Sequence, residues 1–222
     1  MIHAMSLQTI EVGPAGPVST SVIILHGLGA DGTDFLSFAD ELEVPGGPVR
    51  WIFPRAPVMP VTINNGYAMR AWYDIFGFDG ASGEDDAGLR RSMAEVHALL
   101  DREQERGVPA GRIVLGGFSQ GCAMTLLSAL RYPKRLAGLI GMSGYLPLAS
   151  TLAAERHAAN ADVPLFLAHG RSDPVVGFDR ATASRDALLA LGYQVEWHEY
   201  PMQHSVCPQE VVDLQKWLHK TL

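Results

Sequence analysis

The chain has few cysteines, and this scarcity limits the kinds of protein it can be. Its 222 residues include only Cys122 and Cys207. Neither belongs to a Cys-x-x-Cys pair or to a spacing typical of metal ligands, so the sequence predicts no disulfide framework and no zinc site. We expect two buried thiols, no metal and no cofactor.

Basic residues are also outnumbered. Lys and Arg total 17 against 24 Asp and Glu, which gives a formal net charge of −7. Nucleic acids and anionic membranes are bound through basic surfaces. The charge balance therefore disfavours both as partners.

Long hydrophobic runs are missing too. None approaches the roughly 18 residues of a membrane-spanning helix, and the first residues lack the charged and apolar regions of a signal peptide. We expect a cytoplasmic protein without stable membrane insertion, in which Met5 is an alternative start to Met1. With 47% hydrophobic residues the chain can bury one sizeable core, which predicts a single domain over residues 1–222.

Short apolar runs alternate with longer amphipathic segments. The apolar runs predict buried strands at residues 22–26, 49–53, 113–118, 136–142 and 164–169. Two weaker patterns predict an edge strand at 194–200 and an antiparallel strand at 9–12. Helical periodicity predicts helices at 32–42, 85–106, 120–132, 178–191 and 209–220. This alternation is typical of a mostly parallel sheet with helices on both faces.

Residues 54–83 interrupt the alternation with a long segment rich in proline and aromatics. The aromatic residues are Tyr67, Trp72, Tyr73, Phe76 and Phe78. A loop of this length in a compact domain is usually functional. We interpret it as a flap beside an active site; the alternative is a surface excursion whose aromatics simply pack down.

The strongest motif is the pentapeptide Gly-Phe-Ser-Gln-Gly at residues 117–121, which matches G-x-S-x-G. It follows an apolar strand and precedes a helical segment, the setting of the nucleophile elbow in the α/β-hydrolase fold. The turn lifts the hydroxyl of Ser119 to the carboxyl edge of the sheet. The flanking glycines avoid clashes at this sharp turn. We therefore predict Ser119 as a nucleophile.

A serine nucleophile needs a base, and in this fold the acid and then the histidine follow the serine along the chain. His204 lies in a loop between the last predicted strand and the last helix, from which it can reach Ser119. The other histidines after Ser119 are placed less well: His157, His169, His198 and His219. We predict His204 as the base.

The acid should follow a strand end, where it can orient the histidine ring. Asp173 comes directly after the strand at 164–169 and before Pro174. Asp162 precedes that strand, at the opposite edge of the sheet, and Asp179 is placed to cap a helix. Asp173 is the predicted acid.

The mechanism also needs two backbone N–H groups for the oxyanion. One follows the nucleophile, at Gln120, and the other is predicted at Leu28, in the glycine-rich loop after the first buried strand. His26 precedes this loop and is expected to hold it in place rather than to act as a base.

Four segments carry a family resemblance: LHGLGADG at 25–32, GFSQG at 117–121, HGRSDPVV at 169–176 and MQHS at 202–205. Together they resemble the acyl-protein thioesterase, lysophospholipase and carboxylesterase family of small serine α/β-hydrolases, and AWYDI at 71–75 resembles its bacterial carboxylesterase branch. Cys122 departs from the pattern, since the family usually has glycine there.

The resemblance implies a triad of Ser119, Asp173 and His204 and an oxyanion hole formed by Leu28 and Gln120. It also implies that Trp72 and Val176 line the acyl pocket. Homodimerisation is compatible with the family.

Only about twenty residues join the strands at 136–142 and 164–169, so we expect no large lid and an open site. Apolar residues around it, including Leu28, Met69 and Val176, suggest an acyl groove for small-molecule esters or thioesters of short to medium chain length. Three alternatives remain: an acyl-protein thioesterase for long chains, a non-catalytic ligand receptor, and a cysteine-dependent hydrolase.

Overall fold

The computed structural model describes residues 7–77 and 83–222, so Met5 and the flap residue Phe78 lie outside the described residues. Within these ranges nine strands form: β1 (Thr9–Val12), β2 (Thr20–Leu25), β3 (Val49–Pro54), β4 (Val58–Val61), β5 (Tyr67–Arg70), β6 (Ile113–Phe118), β7 (Gly138–Met142), β8 (Leu165–Gly170) and β9 (Val195–Tyr200). The same ranges contain six α-helices: α1 (Phe38–Glu41), α2 (Asp86–Glu105), α3 (Gln120–Ala129), α4 (Ala149–Glu155), α5 (Phe178–Ala190) and α6 (Pro208–Thr221).

Over the described part of the chain, seven strands form one sheet in the order β1-β3-β2-β6-β7-β8-β9. β1 runs antiparallel to β3, and all other neighbours in this sheet are parallel. This confirms the predicted parallel sheet, its antiparallel first strand and the edge position of the last strand. β4 and β5 pair separately as an antiparallel hairpin inside the flap.

Helices cover both faces of the sheet, as predicted for the α/β-hydrolase fold. Alternate residues of β2 enter two different apolar clusters, because successive side chains of a strand point to opposite faces. Ile23 and Leu25 pack with residues of α2, α3 and α5. Val22 and Ile24 pack with residues of α1 and α6. The parallel strands are consequently buried on both sides.

The helix predicted at residues 32–42 is wrong over most of its length, because only α1 is α-helical there. The preceding residues form successive turns, with Asp34 N–H bonded to the carbonyl of Asp31 and Leu36 N–H to that of Thr33. The Asp31 carboxylate bonds Arg55 and Arg70, each at 3.0 Å. These pairings hold the start of the segment against the flap in place of a first helical turn.

The connection from β7 to β8 is short, as expected for a site without a large lid. It contains α4 and a single 3₁₀ turn at Ala158–Asn160. Among the described residues, none of the helices is both long and apolar enough to cross a bilayer.

The start of α6 carries an unusual buried acid. Glu210 is fully buried, and neither carboxylate oxygen has a hydrogen-bond partner among the described residues. Burial raises the pKa of this carboxyl to about 8. Cys207, which precedes the helix, is half-buried rather than buried as expected, because it lies where the chain enters α6 at the surface.

Replacing Glu210 with glutamine should change how stability depends on pH. Between pH 4.5 and about 8 the folded protein holds the Glu210 proton while the unfolded chain releases it, so the free energy of unfolding falls as pH rises through this window. Glu210→Gln removes this term. We expect the free energy of unfolding of Glu210→Gln, minus that of the wild type, to rise by about 1–3 kcal/mol from pH 5 to pH 8. Urea unfolding at each pH measures this difference.

Glu155→Gln provides the control. Hydrogen bonds from Arg90, Thr151 and Arg131 lower the pKa of Glu155 to about 2, so it is ionised in both states across this window. Its effect on stability should therefore stay constant from pH 5 to pH 8. Parallel pH curves for Glu210→Gln and the wild type would contradict a buried neutral Glu210.

Candidate active site

Ser119 occupies the turn between β6 and α3. Its backbone angles are φ 56° and ψ −116°, a conformation that residues with a side chain rarely adopt. A Cβ at Gly117 would collide with the backbone of Gly121, and one at Gly121 would collide with the carbonyl of Leu25. The two glycines therefore allow β6, α3 and β2 to meet closely enough to hold the strained turn.

The structure brings the three predicted triad residues together. His204 Nε2 lies 2.9 Å from Ser119 Oγ, and His204 Nδ1 lies 2.7 Å from Asp173 Oδ2. Asp173 is buried just after β8, while Ser119 and His204 are half-buried at the edge of a cavity. This is the hydrogen-bonded order of a nucleophile, a base and an orienting acid.

Backbone amides fix the carboxylate of Asp173. Its Oδ1 accepts hydrogen bonds from the N–H groups of Val175 and Val176 at 2.8 and 2.9 Å, which leaves Oδ2 for His204. Nearby His169 bonds the carbonyl of Val176 through Nε2 at 2.8 Å, and burial lowers the pKa of its ring. His169 thus stiffens the acid loop as a neutral donor.

The remaining candidate histidines have other positions. His198 Nε2 lies 3.2 Å from Glu196 on the edge strand. His157 accepts a hydrogen bond from the N–H of Ala159 at a 3₁₀ turn, and His219 is exposed near the end of α6. None of these three lines the cavity at Ser119.

Leu28 and Gln120, whose amides are the predicted oxyanion donors, lie in the loop after β2 and at the start of α3. Gln120 begins α3, so its N–H has no acceptor within the helix. Among the described residues, neither amide donates to a protein acceptor. Both residues line the cavity together with Ser119.

His26 braces the oxyanion loop, in agreement with the expected structural position. Its Nδ1 lies 2.7 Å from the carbonyl of Gly27, and its Nε2 accepts from the N–H of Ala56 at 3.0 Å. These partners require the neutral ring with the proton on Nδ1, and burial lowers the pKa of His26 accordingly. Both ring nitrogens are occupied, so His26 is not placed to act as a base.

The side chain of Gln120 joins the elbow to the flap. Its Oε1 accepts from the N–H of Trp72 and its Nε2 donates to the carbonyl of Tyr73, both at 2.8 Å. The hydroxyl of Ser92 donates to the carbonyl of Trp72. α2 and α3 thus hold two consecutive flap residues, and Gln120 is also a predicted oxyanion donor.

A cavity of about 390 Å³ opens at Ser119. Its lining is mostly apolar and comprises Gly27, Leu28, Ala30, Asp34, Phe35, Tyr73, Ile75, Phe118, Ser119, Gln120, Tyr145, Val175, Val176, Arg180, His204 and Val206. The size and lining are typical of a small-molecule site. Among the described residues, no group of three His, Cys, Asp or Glu side chains is arranged to hold a metal ion.

Of the residues expected to line an acyl pocket, Val176 faces the cavity and Trp72 and Met69 do not. Trp72 is fully buried, and its Nε1 donates to the carbonyl of His26 at 2.9 Å, so it supports the site from below. Met69 packs over Gly29 of the oxyanion loop. Tyr73, rather than its neighbour Trp72, lines the cavity.

Sequence reasoning missed two polar residues in the cavity wall. Tyr145 lies in the loop after β7, and Arg180 lies in the first turn of α5. No motif contains either residue. Only the order of the strands in the sheet, β6-β7-β8, could have indicated that the segments after β7 and β8 border Ser119.

Gln120→Met should slow the reaction of Ser119 with a fluorophosphonate by roughly tenfold, because oxyanion donors stabilise such transition states strongly and their positioning would be lost. Stopped-flow or gel-based labelling measures the rate. Gln104→Met is the matched control, since Gln104 bonds Leu100 and Tyr132 away from the cavity. Equal rates for both variants would contradict a positioning role for the Gln120 side chain.

Known proteins resemble this chain over nearly its whole length. Residues 8–222 match the phospholipase/carboxylesterase family. The chain is 42% identical over 214 residues to acyl-protein thioesterase 1 of Schizosaccharomyces pombe, covering 95% of each chain. It is 38% identical over 210 residues to acyl-protein thioesterase 1 of Yarrowia lipolytica, covering 92% of each. The bacterial branch suggested by residues 71–75 is not supported by these fungal relatives.

A solved structure gives the same result. The crystal structure of Zea mays acyl-protein thioesterase 2 superposes with a TM-score of 0.84 at 32% identity, over 96% of this chain and 98% of that one. The chain therefore belongs to the phospholipase/carboxylesterase family of α/β-hydrolases and is a hydrolase of the carboxylesterase and thioesterase class.

Proposed function

We propose that this protein hydrolyses carboxylic esters and thioesters through an acyl-enzyme on Ser119. The observation that carries the proposal is the hydrogen-bonded chain from Ser119 through His204 to Asp173, in a cavity that Leu28 and Gln120 also line. The substrate is a small acyl ester or thioester. The expected compartment is the cytoplasm, and homodimerisation stays a prediction.

The geometry supports a two-step reaction. His204 Nε2 takes the proton of Ser119 Oγ as the oxygen attacks the acyl carbon. The amides of Leu28 and Gln120 receive the negative charge of the tetrahedral intermediate. Asp173 stabilises the imidazolium, which then donates its proton to the departing alcohol or thiol. Water, activated by His204, releases the acid in the second step.

A second candidate is an acyl-protein thioesterase that removes long acyl chains from proteins. The names of the fungal and maize relatives favour it. The size of the cavity favours smaller acyl groups, because about 390 Å³ lies near the lower end of the usual range for ligand sites.

The other two alternatives have less support. A cysteine-dependent hydrolase would need a reactive thiol at the elbow, but Cys122 is buried within α3 and burial raises the pKa of its thiol to about 12. A non-catalytic receptor does not require a preassembled hydrogen-bonded triad to bind its ligand.

Ser119→Ala should abolish both fluorophosphonate labelling and ester hydrolysis, reducing kcat at least 10³-fold because the acyl-enzyme cannot form. Ser128→Ala is the control, since this buried serine lies in α3 outside the cavity lining. Hydrolysis of p-nitrophenyl butyrate and mass spectrometry of the labelled protein measure the two effects. Full activity in Ser119→Ala would overturn the proposed nucleophile.

A chain-length series separates the two substrate classes. We expect higher kcat/KM on p-nitrophenyl esters of four to eight carbons than on an S-palmitoylated peptide. Faster turnover of the long acyl peptide would favour the acyl-protein thioesterase candidate.

A further inference from the structure

The cavity has two ends that differ in chemistry. The first, which we call the histidine arm, comprises Phe35, Phe118 and Val206. The Phe118 ring centroid lies 4.8 Å from that of His204 and 5.7 Å from that of Phe35. This arm therefore surrounds the base.

The second end, the tyrosine arm, comprises Tyr73, Ile75, Tyr145, Val176 and Arg180. Four of these residues, all but Val176, also border a smaller neighbouring cavity, which shows that they form one wall. Ser119 lines the same cavity as the residues of both arms.

The proposed chemistry assigns the two arms to different parts of the substrate. The leaving group must approach His204, which protonates it, so it occupies the histidine arm. The acyl part stays attached to Ser119 and extends away from the base. It therefore occupies the tyrosine arm, and the far wall of that arm meets the end of the acyl group.

That far wall carries hydrogen-bond donors. The hydroxyls of Tyr73 and Tyr145 lie 2.7 Å apart, and both residues are buried. One hydroxyl donates to the other, which leaves the proton of the second without a partner among the described residues. An alkyl terminus would bury this donor without satisfying it, which is unfavourable.

Arg180 adds a positive charge to the same wall. Its Cζ lies 3.4 Å from the centroid of the Tyr145 ring, so the guanidinium is held over the phenol. Its closest carboxylate oxygen among the described residues is Glu84 Oε1, at 3.8 Å, and Glu84 Oε2 accepts instead from the N–H of Leu148 at 2.9 Å. Within the described chain the guanidinium donates no hydrogen bond shorter than 3.5 Å.

The charge of Arg180 acts directly on the two phenols. Burial raises the pKa of both Tyr73 and Tyr145, and Arg180 opposes this shift in each more strongly than Glu84 reinforces it. At both phenols the positive charge of Arg180 therefore outweighs the negative charge of Glu84. A planar guanidinium matches a carboxylate in both charge and shape.

We propose that the tyrosine arm binds an acyl group that ends in a carboxylate, which Arg180 and the Tyr73–Tyr145 hydroxyl pair recognise. This inference rests on the proposed function, because it assigns the acyl group to that arm. The substrate class is the half-ester of a short dicarboxylic acid. Hydrolysis consumes water, breaks the ester bond at Ser119 and releases the dicarboxylate and the alcohol, while the distal carboxylate is unchanged.

The test compares two aryl esters with the same six-carbon acyl chain: mono-p-nitrophenyl adipate and the same molecule with its free carboxylate capped as a methyl ester. Rates are corrected for spontaneous hydrolysis. The wild type should show at least tenfold higher kcat/KM on the charged ester. In Arg180→Met the ratio of the two kcat/KM values should fall at least tenfold, mainly through KM of the charged ester, and Arg180→Lys should restore part of it.

Arg185→Met is the matched control, because Arg185 lies on the same helix with its Cζ 5.1 Å from the Trp197 ring, outside the cavity. It should keep the wild-type ratio. A wild type that prefers the capped ester, or an Arg180→Met variant that loses both esters equally, overturns the carboxylate assignment while ester hydrolysis and Ser119 labelling still support the proposed function. Loss of labelling and of both hydrolyses in the wild type overturns both proposals.

Discussion

The close approach of α3 to the end of β2 is the constraint on which the site depends. The backbone of Gly121 lies directly against the carbonyl of Leu25, where any side chain would collide. This contact sets the first amide of α3 beside the loop that follows β2. It therefore brings Gln120 and Leu28 to the same cavity as Ser119.

Much of the fold and the triad positions could be predicted from the sequence because the relevant signals are local. Apolar runs identify buried strands, and the carboxyl ends of parallel strands meet at one edge of a sheet. Ser119 and Asp173 each follow such a strand, and His204 lies in the loop after the last one. The helix predicted at 32–42 failed because apolar spacing cannot distinguish a helix from successive turns. The turns depend on Arg55 and Arg70, which are distant in sequence.

The cavity wall was less predictable because it depends on which way neighbouring side chains point. Trp72 and Tyr73 are adjacent aromatics, yet one supports the site from below and the other faces the substrate space. The Gln120 amide decides between them by fixing the backbone of both. Tyr145 comes from the loop after β7 and Arg180 from the first turn of α5, and only the order of the strands brings them together. The sequence pattern alone does not indicate contacts between residues that lie so far apart along the chain.

The hydrogen bonds that hold Trp72 and Tyr73 have a consequence for how a substrate enters. The wall beside Ser119 is bonded to α2, α3 and the end of β2 before any substrate arrives. Substrate binding therefore does not have to order this part of the flap, and little conformational entropy is lost there. At this wall the substrate meets a preformed surface. The rate of binding should therefore follow diffusion through the opening rather than the closing of a loop.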